Sequence, residues 1–201
     1  MRLIAENLAC VRGERRLFQG LDFALQGGEA LAVTGPNGSG KSSLLRLIAG
    51  FLTPTEGRVE LEGQMAEGPV GASVHFVGHL DGVKGILSVA ENLAFMRGLL
   101  GGGGRGDDAA LAALGLGQLA DLPANMLSAG QKRRLALARL LVAPRPLWLL
   151  DEPLTSLDAD GQTVFATLAR AHLAGGGMIV AATHVPLGLE RTRELRLGGA
   201  T

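Results

Sequence analysis

An α/β fold built on a mainly parallel sheet is predicted by three features of the 201-residue sequence. Two short, wholly apolar runs, Leu147-Trp148-Leu149-Leu150 and Met178-Ile179-Val180-Ala181-Ala182, suit strands covered on both faces. A third run, Ala30-Leu31-Ala32-Val33, enters a glycine-rich turn and emerges at Lys41 in a helical pattern. Strand-like and helix-like segments alternate along the chain, as a parallel sheet requires. The length suits one domain at roughly 100–200 residues per domain. Hydrophobic residues at 47% and charged ones at 19% supply a core and exclude intrinsic disorder as the main state.

In chain order, Arg2 to Leu8 reads as a strand, followed by a basic turn, Arg12-Gly13-Glu14-Arg15-Arg16. Leu21-Asp22-Phe23-Ala24-Leu25 alternates as a half-buried strand does, and Gly27-Gly28 closes the hairpin region. The helix opening at Lys41 buries Leu44, Leu45, Leu47 and Ile48, with Gly50 as its end signal. Val59 and Leu61 suggest a short strand, and Val74-His75-Phe76-Val77 another. From about 88 to 127 the apolar spacing turns helical (Val89, Leu93, Met96, then Leu111, Leu114, Leu119), which predicts a helical insert. Within it, Gly101-Gly102-Gly103-Gly104 lacks a preceding strand and a following Lys-Ser or Lys-Thr, so a flexible linker is the expected reading. A helix capped by Ser128 ends before Pro144, and a further one lies near 162–173.

Nineteen basic and nineteen acidic residues cancel, so no general pull towards polyanions is expected. Aromatics make up 3%, with no tyrosine, leaving few stacking platforms for single-stranded nucleic acid. No nucleic-acid partner is expected. Cys10, the single cysteine, rules out an intrachain disulfide or a multi-cysteine metal site and points to a reducing, cytoplasmic setting. Neither a signal peptide nor an apolar stretch of the ~18–20 residues that span a bilayer is found.

Chemistry is concentrated at three places. Gly35-Pro36-Asn37-Gly38-Ser39-Gly40-Lys41-Ser42 fits the phosphate-loop pattern at every fixed position, between a strand and a helix as the pattern demands. Its glycines let consecutive N–H groups and the positive helix terminus face an anion. Lys41 is expected to reach the β- and γ-phosphates and Ser42 to ligate Mg²⁺. At the end of an apolar strand, Asp151 is the candidate metal carboxylate, and Glu152 the base that orients or deprotonates an attacking water. An Asp-Glu pair in such a place otherwise marks a strand meeting solvent. Leu127-Ser128-Ala129-Gly130-Gln131 opens a helix whose N–H groups could bind a phosphate, the alternative for Ser128 being an ordinary N-cap.

Together these segments resemble the nucleotide-binding subunits of ABC transporters, in the right order over nearly the whole chain. Gly35 to Ser42 resembles the Walker A loop, Leu127 to Gln131 the signature motif and Leu147 to Glu152 the Walker B strand. Ser156-Leu157-Asp158 resembles the D-loop, and His184, after Ala182-Thr183, the switch histidine. The resemblance implies a phosphate-loop NTPase cassette: a mainly parallel central sheet, an N-terminal antiparallel β subdomain and a helical subdomain at about 82–143, all in one domain over residues 1–201. It implies ATP and Mg²⁺ as cofactors. ATP would be held by Gly35 to Ser42, the following Ser43, His79 and Asp158, with Ser128, Gly130 and Gln131 supplied across a head-to-tail dimer. Catalysis would fall to Glu152 and His184, and metal binding to Ser42 and Asp151.

Three positions depart from the family pattern. Gly78-His79-Leu80 stands where a glutamine is usual, and His79 either faces the metal and water region or is a buried structural residue. Arg12 replaces the aromatic that commonly stacks on adenine; its guanidinium stacks on the base or is a solvated turn residue. Ala129 stands where glycine is commonest. With Gly78-His79, the stretches Cys10 to Phe18, Leu127 to Arg134 and Arg145 to Pro153 are similar to the haem-exporter ATPase subunits of bacterial cytochrome c maturation. That similarity implies integral membrane permease partners and a peripheral position on the cytoplasmic face of the bacterial inner membrane. It also implies ATP hydrolysis that supports haem delivery or release by a periplasmic haem chaperone. The chain has no Cys-x-x-Cys-His pattern and is expected to bind no haem itself. The alternatives are the motor of another small exporter, a soluble ABC-type ATPase and a phosphate-loop kinase; the last would leave Leu127 to Gln131 and His184 without purpose.

Overall fold

The computed structural model describes residues 1–63 and 73–198. The chain forms two compact units, the first comprising 1–78, 146–152 and 169–201, the second 79–145 and 153–168.

In the first unit, β1 (Arg2–Arg12) pairs antiparallel with β2 (Arg15–Gln26) and with β4 (Glu56–Glu62), in the order β2-β1-β4. Both hairpin strands run further than the sequence reading, because Gly13 takes a positive φ of 60° and lets Gly13-Glu14 alone make the turn. The alternation was hidden by a bulge after Ala5, where Asn7 has φ 47° and its N–H donates to Asp22 Oδ1 at 2.6 Å. Gly57 fits against that bulge, since a Cβ there would lie 2.2 Å from the Glu6 carbonyl oxygen.

The second sheet is parallel and runs β5-β6-β7-β3-β8, with β3 Ala30–Thr34, β5 Val74–Val77, β6 Leu147–Asp151, β7 Met178–Ala182 and β8 Thr192–Arg196. Every residue of β6 and β7 is buried, as their unbroken apolar runs predict. β8 was not anticipated; it is a polar edge strand with no apolar period to announce it. One apolar cluster joins both sheets to α1 (Lys41–Ile48), through Leu3, Leu8 and Leu25 on one side and Val33, Leu44, Ile48 and Val180 on the other. Cys10 is part of this cluster, and burial pushes its thiol pKa up, as for a small apolar side chain with no reactive role.

The second unit holds α2 (Val89–Leu100), α3 (Asp107–Ala113), two 3₁₀ turns, α4 (Ala129–Val142) and the first residues of α5 (Ala159–Ala174), whose end belongs to the first unit. α2 and α4 each open with a reciprocal capping box, Ser88 with Glu91 and Ser128 with Gln131. The glycine run does join two helices, but its end is packed rather than loose. The Gly104 N–H donates to Val142 O at 3.0 Å, and a Cβ on Gly104 would lie 2.2 Å from Leu141 O. The run thus satisfies carbonyls that the C-terminus of α4 leaves open.

Candidate nucleotide-binding site

Three neighbouring strands of the first unit end on one row. Val33 of β3 pairs with Ala182 of β7, which pairs with Asp151 of β6. At about 4.8 Å between strands, the glycine loop, the Thr183-His184 segment and the Asp151-Glu152 pair therefore leave the same edge of the sheet.

The loop between β3 and α1 is built for an anion. Gly35, Gly38 and Gly40 have φ of 134°, 77° and 100°, and a Cβ on Gly35 would overlap the Leu197 carbonyl oxygen at 2.3 Å. Unlike α2 and α4, α1 has no side-chain cap, and its first turn carries no acidic residue, so the N–H groups near Lys41, Ser42 and Ser43 keep their positive field. Lys41 is 8% exposed, its Nζ donating to the carbonyl oxygens of Gly35 at 2.8 Å and Pro36 at 3.1 Å. Ser39 Oγ is buried without a hydrogen-bond partner among the described residues. Such an orphan is uncommon, and a phosphate oxygen would satisfy it. Pro36 and Asn37 stay exposed at the loop's crest.

Asp151 closes β6 and is 6% exposed. Glu152 has φ 50°, a left-handed backbone that costs of order 1–3 kcal/mol in a non-glycine residue. Its N–H donates to Ala182 O at 2.8 Å, which fixes the turn, and its Oε1 lies 3.4 Å from His184 Nε2. The Thr183 hydroxyl donates to Val185 O at 2.8 Å and accepts the Val185 N–H at 3.1 Å, and the Thr183 N–H donates to Val33 O, so the backbone on both sides of His184 is held. Glu152 and His184, identified separately in the sequence, thus meet.

In the second unit, the Ser128 hydroxyl accepts the Gln131 N–H at 3.2 Å while Gln131 Oε1 accepts the Ser128 N–H at 2.8 Å. Both side chains therefore have a local capping role. Gly130 is required by proximity: a Cβ there would lie 2.6 Å from Ser156 O, and Ser156 itself has φ 67°. Asp158 caps α5, its Oδ1 accepting the Gly161 N–H at 2.8 Å. His79 is exposed, which sets aside its reading as a buried structural residue. Arg12 is exposed at the hairpin tip.

Sequence reasoning assigned no role to Arg133, which sits in the basic run Lys132-Arg133-Arg134. It is 3% exposed, its Nε donating to Pro153 O at 3.3 Å and its Nη1 pairing with Asp81 Oδ1 at 3.0 Å. It ties the start of α4 to the segments after His79 and after Glu152. Burial, with Arg133 nearby, lowers the Arg139 pKa to about 10, against a smaller raising effect from Asp81.

A sequence model of the ABC transporter family matches residues 18–155. The chain belongs to the ABC transporter family. Among curated proteins, it is 56% identical over 200 residues to the "Cytochrome c biogenesis ATP-binding export protein CcmA" of Nitrobacter winogradskyi, covering all of both chains. The protein of the same name from Rhodopseudomonas palustris strain HaA2 is also 56% identical over 200 residues, with both chains fully covered. Among solved structures, an ATP binding subunit of an ABC transporter superposes with a TM-score of 0.83 over 98% of this chain and 88% of that one, at 19% identity. A bacterial Atm1-family ABC exporter with ATP bound gives 0.81 at 27% identity, over 98% of this chain and 38% of that one. The ABC transporter ATP-binding fold accounts for the parallel sheet, the antiparallel sheet and the glycine loop described above. Among the described residues, no helix is long and apolar enough to cross a membrane.

Proposed function

We propose that this ABC ATPase drives a haem exporter of cytochrome c biogenesis, docked on membrane permease subunits at the cytoplasmic face of the bacterial inner membrane. The observation that carries the reading is the full-length 56% identity to cytochrome c biogenesis ATP-binding export proteins, joined to a complete phosphate loop and acidic pair.

ATP enters against the Gly35 to Ser43 loop, where Lys41 exchanges its loop carbonyls for phosphate oxygens. Among the described residues, no group of three or more His, Cys, Asp or Glu side chains is placed to hold a metal by protein ligands alone. Ser42 and Asp151 would hold Mg²⁺ together with the phosphates, the arrangement this cation favours, and it would neutralise the charge that develops during transfer. Glu152 orients water and accepts its proton, and His184 holds the Glu152 carboxylate from 3.4 Å. Ser128, Gly130 and Asp158 act on the ATP of a second copy, so each site is completed head to tail.

Support for a membrane partner comes from the segment after His79. Leu80, Ile86 and Leu99 are 85%, 90% and 70% exposed, apolar surface that a partner could cover. The test is co-purification with a permease encoded beside this chain, from detergent-solubilised membranes. Retention in the membrane fraction and haem-dependent stimulation of ATP turnover are expected; a chain that stays in the soluble fraction beside that permease contradicts the partner assignment. Lys41→Ala is expected to weaken ATP binding by at least about tenfold, read by calorimetry.

A further inference from the structure

We propose that Arg15 is a second phosphate-binding cation of the nucleotide site; this rests on the phosphate-loop reading above. β1 and β2 meet at a two-residue turn, and Arg12 and Arg15 are direct partners across it, so both side chains leave the hairpin tip on one face. The Arg15 guanidinium lies against the phosphate loop. A Cβ built on Gly38 would be 3.4 Å from its Nη1, 3.8 Å from its Nη2 and 4.0 Å from its Cζ. Gly38 is thus doubly constrained, by a φ of 77° and by the arginine over it.

The guanidinium is available for a ligand. The side chain of its neighbour Arg16 donates to Gln19, and Arg58 pairs with Glu6 at 2.8 Å, whereas the Arg15 side chain is exposed and forms no ion pair or hydrogen bond among the described residues. From Gly35 to Ser43 the loop carries one cation, Lys41, whose ammonium is drawn inward onto two loop carbonyls. A nucleoside triphosphate is a polyanion and leaves charge for a second cation at the loop's outer side. A planar guanidinium offers two parallel N–H donors to phosphate oxygens, a geometry that ammonium lacks. Position separates the two arginines: Arg15 touches the loop that wraps phosphates, and Arg12 is the one left for a base.

The test is titration of the full chain and its Arg15→Ala, Arg15→Lys and Lys41→Ala variants with Mg-ATP, Mg-ADP, AMP and Mg-GTP. Arg15→Ala is expected to weaken Mg-ATP about tenfold and AMP less than about twofold, with Arg15→Lys in between. The ratio of ATP to GTP affinity is expected to stay constant. Unchanged ATP affinity in Arg15→Ala overturns the proposal, as does an equal loss for ATP and AMP, or a shift in the ATP to GTP ratio, which would make Arg15 a base reader. Should Arg15→Ala lose its folded circular-dichroism signal, Arg15→Gln against Arg15→Lys decides, equal affinities overturning the assignment. Loss of ATP in Lys41→Ala but not in Arg15→Ala removes Arg15 alone; a wild-type chain that binds no ATP removes the phosphate-loop reading itself.

Discussion

At the scale of single residues, the site depends on strained or crowded positions whose need is local. Glu152 adopts a backbone that most residues avoid, and its carboxylate lies 3.4 Å from His184 Nε2. His184→Ala is expected to lower ATP turnover by about 10²-fold, the lower end of what a positioned acid–base pair supplies. ATP affinity should change little, because Lys41 and the loop remain. A parallel loss of affinity and turnover, measured by calorimetry beside a phosphate-release assay, would instead make His184 a binding residue. The loop was legible in the sequence because its spacing is set by one turn, and Asp151 and Glu152 because they follow an unbroken apolar strand. Arg133 was not, because a buried arginine and a solvated one read alike until Asp81 and Pro153 are brought to it.

At the scale of elements, the apolar strands β3, β6 and β7 could be read directly, since a strand buried on both faces needs an unbroken run. β8 and the bulged half of β1 could not, since a polar edge and an extra residue erase the period. The opening of α4 is a capping box for which a second role, on a partner's phosphate, is proposed. Ser128→Ala removes its capping box and is expected to cost about 1 kcal/mol of stability, read as a lower denaturation midpoint. Turnover should fall further than that loss explains if Ser128 also meets a partner's phosphate; turnover at the wild-type rate would leave it a cap only. At the end of α5, His172 stacks on Trp148 of β6 with ring centroids 3.9 Å apart. Burial pushes its pKa down to about 4, against backbone hydrogen bonds to Met178 and Pro146 that raise it. The unfolded chain, titrating near 6.5, then binds more protons than the folded one between about pH 6.5 and 4. Stability from this residue is complete above that window and falls with pH inside it, by up to about 1.4 kcal/mol per unit. His172→Phe, which keeps a ring over Trp148, should flatten the pH dependence of thermal unfolding in that range; an unchanged slope assigns the acid sensitivity elsewhere.

At the scale of the whole molecule, the residues expected to serve one ATP belong to two compact units. The loop, Asp151, Glu152 and His184 lie in the first, and Ser128, Gly130 and Asp158 in the second. This division suits a site shared between two copies, since a helix terminus in one chain can close on the phosphates of another. Under the proposed function, hydrolysis would reopen the pair and an attached permease would follow that cycle. The exposed apolar side chains at Leu80, Ile86 and Leu99 belong to the second unit as well. Sequence alone suggested the dimer only through family resemblance, because complementarity between two surfaces leaves no periodic trace in one chain.

Whether Glu152 is the base for ATP hydrolysis at this site is read from the turnover of Glu152→Gln beside its ATP affinity and its mass in solution. The substitution is expected to lower turnover by at least about 10²-fold, to leave Mg-ATP bound and to hold two copies together in light scattering, with separation when the nucleotide is removed. Hydrolysis at the wild-type rate in Glu152→Gln would exclude Glu152 as the base.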